Sequence, residues 1–231
     1  MNRIMLISII LASICWADDK TQATTDRLDK SAEVLHQIMA APGEGTPEEV
    51  AEVIEHAKCV AVVPHMIKGG FVFGALGGRG VVSCRTSAGR WSAPAFFVIS
   101  GGTWGLQIGV EGVDLLMVVQ NDKGREQMLS GNFQLGSDAS VAAGSVDRHA
   151  SSDTDWKMMN EEILIYSRAK GVFAGLSLTG ADVREDEDSM RAAYGRDVTP
   201  RAVLEGTVPP PAQAHDFLNA IPQRKNEAAS R

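Results

Sequence analysis

Residues Tyr166 to Gly180 read YSRAKGVFAGLSLTG, and within them Ser167 precedes Lys170 by three positions. That is the spacing of a serine nucleophile served by a lysine base, chemistry that needs a helix to bring both groups onto one face. The flanking runs ILIYS and GVFAGLSL are short and rich in β-branched and aromatic residues, so the motif is read as a turn between strands. The companion elements are also missing: there is no Ser-Asp-Asn, and Lys68-Gly69-Gly70 lacks the hydroxyl of Lys-Thr-Gly. No catalytic residue is assigned.

Other candidate chemistry fails on spacing or context. GALGGRGVV resembles a phosphate loop, but it runs into Val81-Val82 without a following Lys-Ser or Lys-Thr, and a hairpin turn is expected. Gly101, Gly105 and Gly109 repeat every fourth residue, yet Leu106, Ile108 and Val110 alternate with Gln107 and Glu111 as a half-buried strand does. The histidines His36, His56, His65, His149 and His215 never fall at ligand spacing, and the acidic run Glu185 to Asp188 lacks the glycine of a calcium loop. Asp147, Arg148 and His149 are neighbours in sequence and read as a solvated loop. No metal and no cofactor are expected.

Charge is more informative by region than in total. The chain carries a net charge of −7, which disfavours nucleic acid as a partner. Between Glu55 and Glu111, however, there is no Asp or Glu, while Lys58, Lys68, Arg79, Arg85 and Arg90 fall there. A second acid-free window, Ile163 to Ala181, adds Arg168 and Lys170. Segregation of this kind can build a positive face on an acidic protein, and local potential governs anion binding. Whether these seven side chains converge or scatter over several faces is left open by sequence.

These side chains need elements to position them. Arg3, the apolar run Ile4 to Ile14 and Cys15-Trp16-Ala17 read as a secretory signal over residues 1–17, cleaved after Ala17. A lipid anchor on Cys15 is the competing reading, opposed by Ile14 where a small residue is wanted. Residues 18–25 are polar and expected to be loose. From Asp26, Leu28, Ala32, Leu35 and Met39 fall at helical spacing with charges opposite, and Thr46-Pro47-Glu48-Glu49 opens a second helix. Then the period changes: CVAVVP, FVFGAL, GVVSCR, APAFFVIS, LQIGVEG, DLLMVVQ and ILIYS read as antiparallel strands bounded by turns at Gly77-Gly78, Ser87-Ala88-Gly89 and Asn121 to Gly124. Most of the 23 glycines lie between Gly69 and Gly180, which predicts bulges and bends. Short helices follow through Tyr194 and from Thr199-Pro200, and VPPP leads to a last apolar turn with Phe217, Leu218 and Ile221.

The expected architecture is one α+β domain over residues 26–221: a glycine-rich, mainly antiparallel sheet or barrel-like core with N-terminal amphipathic helices and short C-terminal helices, then a polar tail, 222–231. Cys59 and Cys84 sit in strand-like runs, where two buried thiols are the plainer expectation and a bridge the alternative. Tyr166, Phe173, Trp91 and Trp104 are expected in the core, with a lipid interface as the other option.

Five stretches in order, AKCVAVVPHMIKGGFVFGALGGRGVV, GRWSAPAFF, GGTWGLQIGVEGVDLLMVV, LGSDASVAAG and YSRAKGVFAGLSLTG, resemble the SYLF-domain family over roughly Leu28 to Ile221. The chain departs from that pattern at Ser145-Val146-Asp147 and at Thr179. The resemblance implies a non-enzymatic module that binds anionic phospholipid headgroups or a membrane surface through basic residues and an N-terminal amphipathic helix, here Asp26 to Met39. The basic residues would be drawn from Lys58, Lys68, Arg79, Arg85, Arg90, Arg168 and Lys170, in a secreted or periplasmic protein. The alternative is an envelope module that binds a protein partner and has no specific lipid ligand.

Overall fold

The computed structural model describes residues 2–40, 47–70, 73–104, 109–143, 161–169, 172–173 and 178–224. The helices among them are α1 (Asn2–Ala40), α2 (Pro47–His56), α3 (Asp122–Ser130), α4 (Glu187–Tyr194), α5 (Pro200–Leu204) and α6 (His215–Ala220). The strands are β1 (Cys59–Gly70), β2 (Phe73–Cys84), β3 (Ala95–Trp104), β4 (Gly109–Val119), β5 (Asn132–Gln134), β6 (Val141–Ala143), β7 (Ile163–Ala169), β8 (Val172–Phe173) and β9 (Asp182–Glu185). They form one nine-stranded sheet in the order β5-β9-β3-β2-β1-β4-β7-β6, with β8 also paired to β7. Every pairing is antiparallel except β6 with β7, as the α+β expectation requires.

Strand alternation divides the sheet into two faces. Val60, Val62, Val81, Leu116, Val118 and Tyr166 point to the face that α1 covers, where Leu28, Leu35 and Ile38 are buried. The apolar stripe of α1 is therefore part of the core. Val82, Phe97, Phe133 and Val183 line the other face together with Met128 of α3 and Pro200 of α5. Residues 18–25, expected to be loose, belong to α1: Thr24 is buried, Lys20 pairs with Asp188 of α4 at 3.1 Å, and the Thr24 and Thr25 hydroxyls donate to the Thr21 carbonyl. Tertiary packing overrides the weak helix propensity of threonine here.

Three further expectations are corrected. Gly77-Gly78 is no turn, because β2 runs straight through it. The glycines there admit close packing instead: a Cβ at Gly80 would sit 2.5 Å from the Phe97 ring and 2.6 Å from the Val62 carbonyl. Asn121 to Gly124 opens helix α3, with the Asn121 side chain accepting from the Gly124 N–H at 2.9 Å. Cys59 and Cys84, directly opposite across β1 and β2 and fully buried, are joined in a disulfide. The short C-terminal helices stand where sequence puts them, with Thr199 capping α5.

Candidate functional site

The charged windows are built into three levels of the sheet. At the disulfide end, Arg85 is only 6% exposed. Its guanidinium stacks on Trp91 at 3.9 Å and donates to the carbonyls of Gly89, Glu55 and Pro222 and to the Gln223 side chain. Glu55 lies in the last turn of α2, so Arg85 caps free carbonyls at the negative end of that helix, joined there by Arg224. The Trp91 ring donates to the Pro222 carbonyl at 3.1 Å. Residues 222–224, expected as the start of a polar tail, are thus held against the body. Arg90 is exposed on the same hairpin, and Lys58 pairs with Asp122 at 2.9 Å.

At mid-height lies the motif with which the sequence reading began. β7 and β8 pair antiparallel, Ala169 opposite Val172, and Ser167, Arg168 and Ala169 all stand on strand β7. Lys170 itself is outside the described residues. Ser167 is buried on the face opposite α1. Tyr166 is buried too, and loss of water pushes its phenol up to about 12. Arg168 projects under α1, contacts the Gln37 side chain and pairs with Asp114 at 3.4 Å. The other Asp114 oxygen accepts the backbone N–H of His65 at 3.0 Å. His65 has a φ of 52° at an irregularity where β1 shifts register against both neighbours. Its ring lies over Gly112, where a Cβ would fall 2.3 Å from the ring. The arginine of YSRAKG therefore braces a bulge, which is a structural role.

Beyond α1 the same face carries exposed residues, Ile67, Ser100 and Arg79 among them. One row of register partners crosses it: Gly112, Ile67, Gly77, Ser100 and Asp182. Ile67 stands between two glycines, with the His65 ring over Gly112 on one flank and open space over Gly77 on the other. It is 52% exposed, the one large apolar side chain so exposed among the described residues. Gly77 and Gly102 differ from Gly80 and Gly112 in having open space above them: at Gly77 a Cβ would meet nothing nearer than 3.9 Å, and at Gly102 nothing within 4 Å. The fold's own packing does not require a glycine at either position, and a bare strand backbone suits close approach from outside. Lys68 is half-buried and points to the opposite face, beside Leu76.

Arg79 stands at the lower edge of this shelf, 63% exposed. It reaches Asp186 at 3.4 Å, but the same carboxylate oxygen already holds buried Arg27 of α1 at 3.0 Å and the Ser189 hydroxyl at 2.8 Å. Burial works to raise the Asp186 carboxyl, yet the Ser189 and Arg27 donors hold it below the usual carboxylate range. Arg27 also lies over the Phe96 ring at 5.5 Å. The seven expected cations thus form no single patch: Lys58, Arg85 and Arg90 share the disulfide end, Arg168 is tied under α1, Lys68 faces the other way, and Arg79 alone of the described six borders the shelf. Sequence reasoning missed Ile67, since it carries no charge and lies past the predicted end of its strand. Glycines at its two register partners are the signal that marks it.

The described residues form an α+β domain whose sheet presents an exposed, glycine-lined shelf. The chain belongs to the Ysc84, or SYLF, family: the family described as "Las17-binding protein actin regulator" matches residues 100–224. SH3 domain-containing YSC84-like protein 1 of Rattus norvegicus is 33% identical over 195 residues, which are 83% of this chain and 57% of that protein. The Homo sapiens protein of the same name is 33% identical, covering 83% and 56% respectively. Protein YSC84 of Saccharomyces cerevisiae is 31% identical over 174 residues, 74% of this chain and 37% of its own length. The chain therefore spans little more than half the length of these vertebrate relatives. No solved structure matches it.

Proposed function

We propose that this chain is a non-enzymatic module that docks reversibly on anionic phospholipid surfaces, and that the docking face is the shelf beyond α1. The observation that carries the reading is the pairing of a half-exposed Ile67 with exposed Arg79 on one open, glycine-lined face. An isoleucine entering the headgroup region removes apolar surface from water, which stabilises the docked state by about 1 kcal/mol for half a side chain. A cation at an anionic surface contributes about 1 kcal/mol more, and less as salt rises. Such terms give weak, salt-sensitive binding. The amphipathic helix takes no part in this reading because its apolar stripe is buried in the core. No described helix is long and apolar enough to cross a membrane, so contact is peripheral in this proposal. A secreted or periplasmic location fits the signal-like residues 1–17 and the buried disulfide, a bond that persists in oxidising compartments.

Vesicle co-sedimentation tests the reading. The chain is expected to pellet with vesicles containing phosphatidylglycerol, to stay in solution with phosphatidylcholine alone, and to be released by salt. Equal binding to both, or indifference to salt, contradicts it. A second reading, a protein-binding module with no lipid ligand, is favoured by the name of a yeast relative, LAS seventeen-binding protein 3. It predicts saturable capture of one protein partner that added vesicles neither strengthen nor compete.

A further inference from the structure

The lower edge of the shelf carries a second arginine that neither acid-free window contains. Register places Arg79 opposite Val98, and Val98 opposite Arg184, so two arginines flank one valine on the α1-bearing face. Their Cα atoms are two strand spacings apart, about 10 Å, a gap that two guanidinium stems bridge from either side. Both heads are free to do so: Arg79 is 63% and Arg184 64% exposed.

Neither is committed to its present partner. Arg79 makes the longest of the three side-chain contacts to one Asp186 oxygen, which Arg27 and Ser189 already satisfy. Arg184 meets Asp182 at 3.3 Å within the same strand, both side chains being partly exposed, the kind of surface pair that contributes little. The ion pairs at this edge join Arg27 and Arg79 to Asp186 and Arg184 to Asp182, so three guanidinium groups share two carboxylates. One row outward lie the exposed Ser100 and the open backbone of Gly77, which supply a hydroxyl donor and room for a bulky group. At present Arg79 leans inward to Asp186 and Arg184 outward to Asp182; turned toward each other across Val98, two planar forks match the oxygens of a phosphate better than two ammonium groups do.

Resting on the docking reading above, we infer that Arg79 and Arg184 form a phosphate-binding pair, with Ser100 beside them, that takes a terminal phosphate group. The phosphate belongs either to a lipid headgroup or to a free phosphate, and the shared chemistry is recognition of a terminal phosphate by two guanidinium forks.

The test is an amide NMR titration of the mature chain with soluble dibutanoyl phosphatidic acid, with inorganic phosphate, and with dibutanoyl phosphatidylcholine as the control. Phosphatidic acid is expected to shift the amides of Gly77, Val98 and Ser100, and Arg184→Ala to weaken it about tenfold, the effect of one charge-assisted contact. Arg184→Lys keeps the charge but not the fork and is expected to fall between the two. Asp182→Asn, which removes a competing carboxylate, is expected to tighten binding. Stronger binding of phosphatidic acid than of inorganic phosphate assigns a lipid source, and equal binding a free one. Shifts confined to other residues, or an Arg184→Ala variant that binds as wild type does, overturn the pair. Vesicle binding by that same variant at wild-type strength leaves the docking face standing while the pair falls, whereas a wild type that ignores vesicles defeats the docking reading alone.

Discussion

Arg79 and Arg85 lie on the same side of the sheet, one within β2 and one just past its end, and both sit in the same acid-free window. Arg85 is sealed between Trp91, the end of α2 and the C-terminal segment, and its donors close the fold. Arg79 stays in solvent beside a carboxylate whose needs others meet. The difference lies in what covers each level of the sheet. Around Arg85 the end of α2 and the C-terminal segment converge and turn the cation into a clamp, whereas Arg79, at the edge of α1 beside Arg27, keeps 63% of its side chain exposed. A window without acids therefore holds two kinds of cation: a buried clamp, Arg85, whose charge is met mainly by carbonyl oxygens, and exposed cations such as Arg79 and Arg90.

That contrast is broken most severely at the clamped end. Arg85→Ala is expected to cost about 3 kcal/mol of stability, from the stacked cation and the buried carbonyls left unpaired, read as a lower denaturation midpoint. Replacing both Cys59 and Cys84 by alanine removes a bridge over a sequence separation of 25 residues and is expected to cost a similar amount, about 3 kcal/mol by the loop-entropy relation. Neither change is expected to alter lipid selectivity below the new melting point, which co-sedimentation checks.

A smaller effect belongs to the buried carboxylate between the regions. Asp186 titrates below its unfolded range, so its contribution is fully present above about pH 4 and is lost as pH falls through the folded value. Acid denaturation of Asp186→Asn is expected to lack that part of the pH dependence while being less stable near neutral pH. Smallest in stability, and largest in function, is the shelf: Ile67→Asp is expected to leave the melting temperature within about a degree or two, because the side chain is half exposed, and to weaken vesicle binding severalfold.

Much of the scaffold was legible because its signals are local. The period change at Cys59, the Thr199-Pro200 helix start and the strand ILIYS all follow from patterns a few residues long, although β7 runs on through Arg168 and Ala169, where a turn was expected. Gly77-Gly78 misled because a glycine pair permits a turn and a crowded strand equally, and only the position of Phe97 and Val62 decides. Residues 18–25 misled because their helix is stabilised by α4, a partner far along the chain. The proposed docking face was the least legible part. Seven cations were named by composition, but exposure is a property of what packs over a residue, and sequence does not say that α1 shields Arg168 and leaves Arg79 bare. Ile67 and Arg184 enter only through strand register, which joins five strands from distant parts of the chain.

The central claim is that this domain meets a lipid surface with the shelf and not with its cations at large. Co-sedimentation with phosphatidylglycerol vesicles, run side by side on Arg79→Glu and Arg90→Glu, tests it most directly, since both residues are exposed and both changes reverse one charge. The account predicts that Arg79→Glu releases the protein and Arg90→Glu leaves it bound; equal losses, or loss with Arg90→Glu alone, would contradict it.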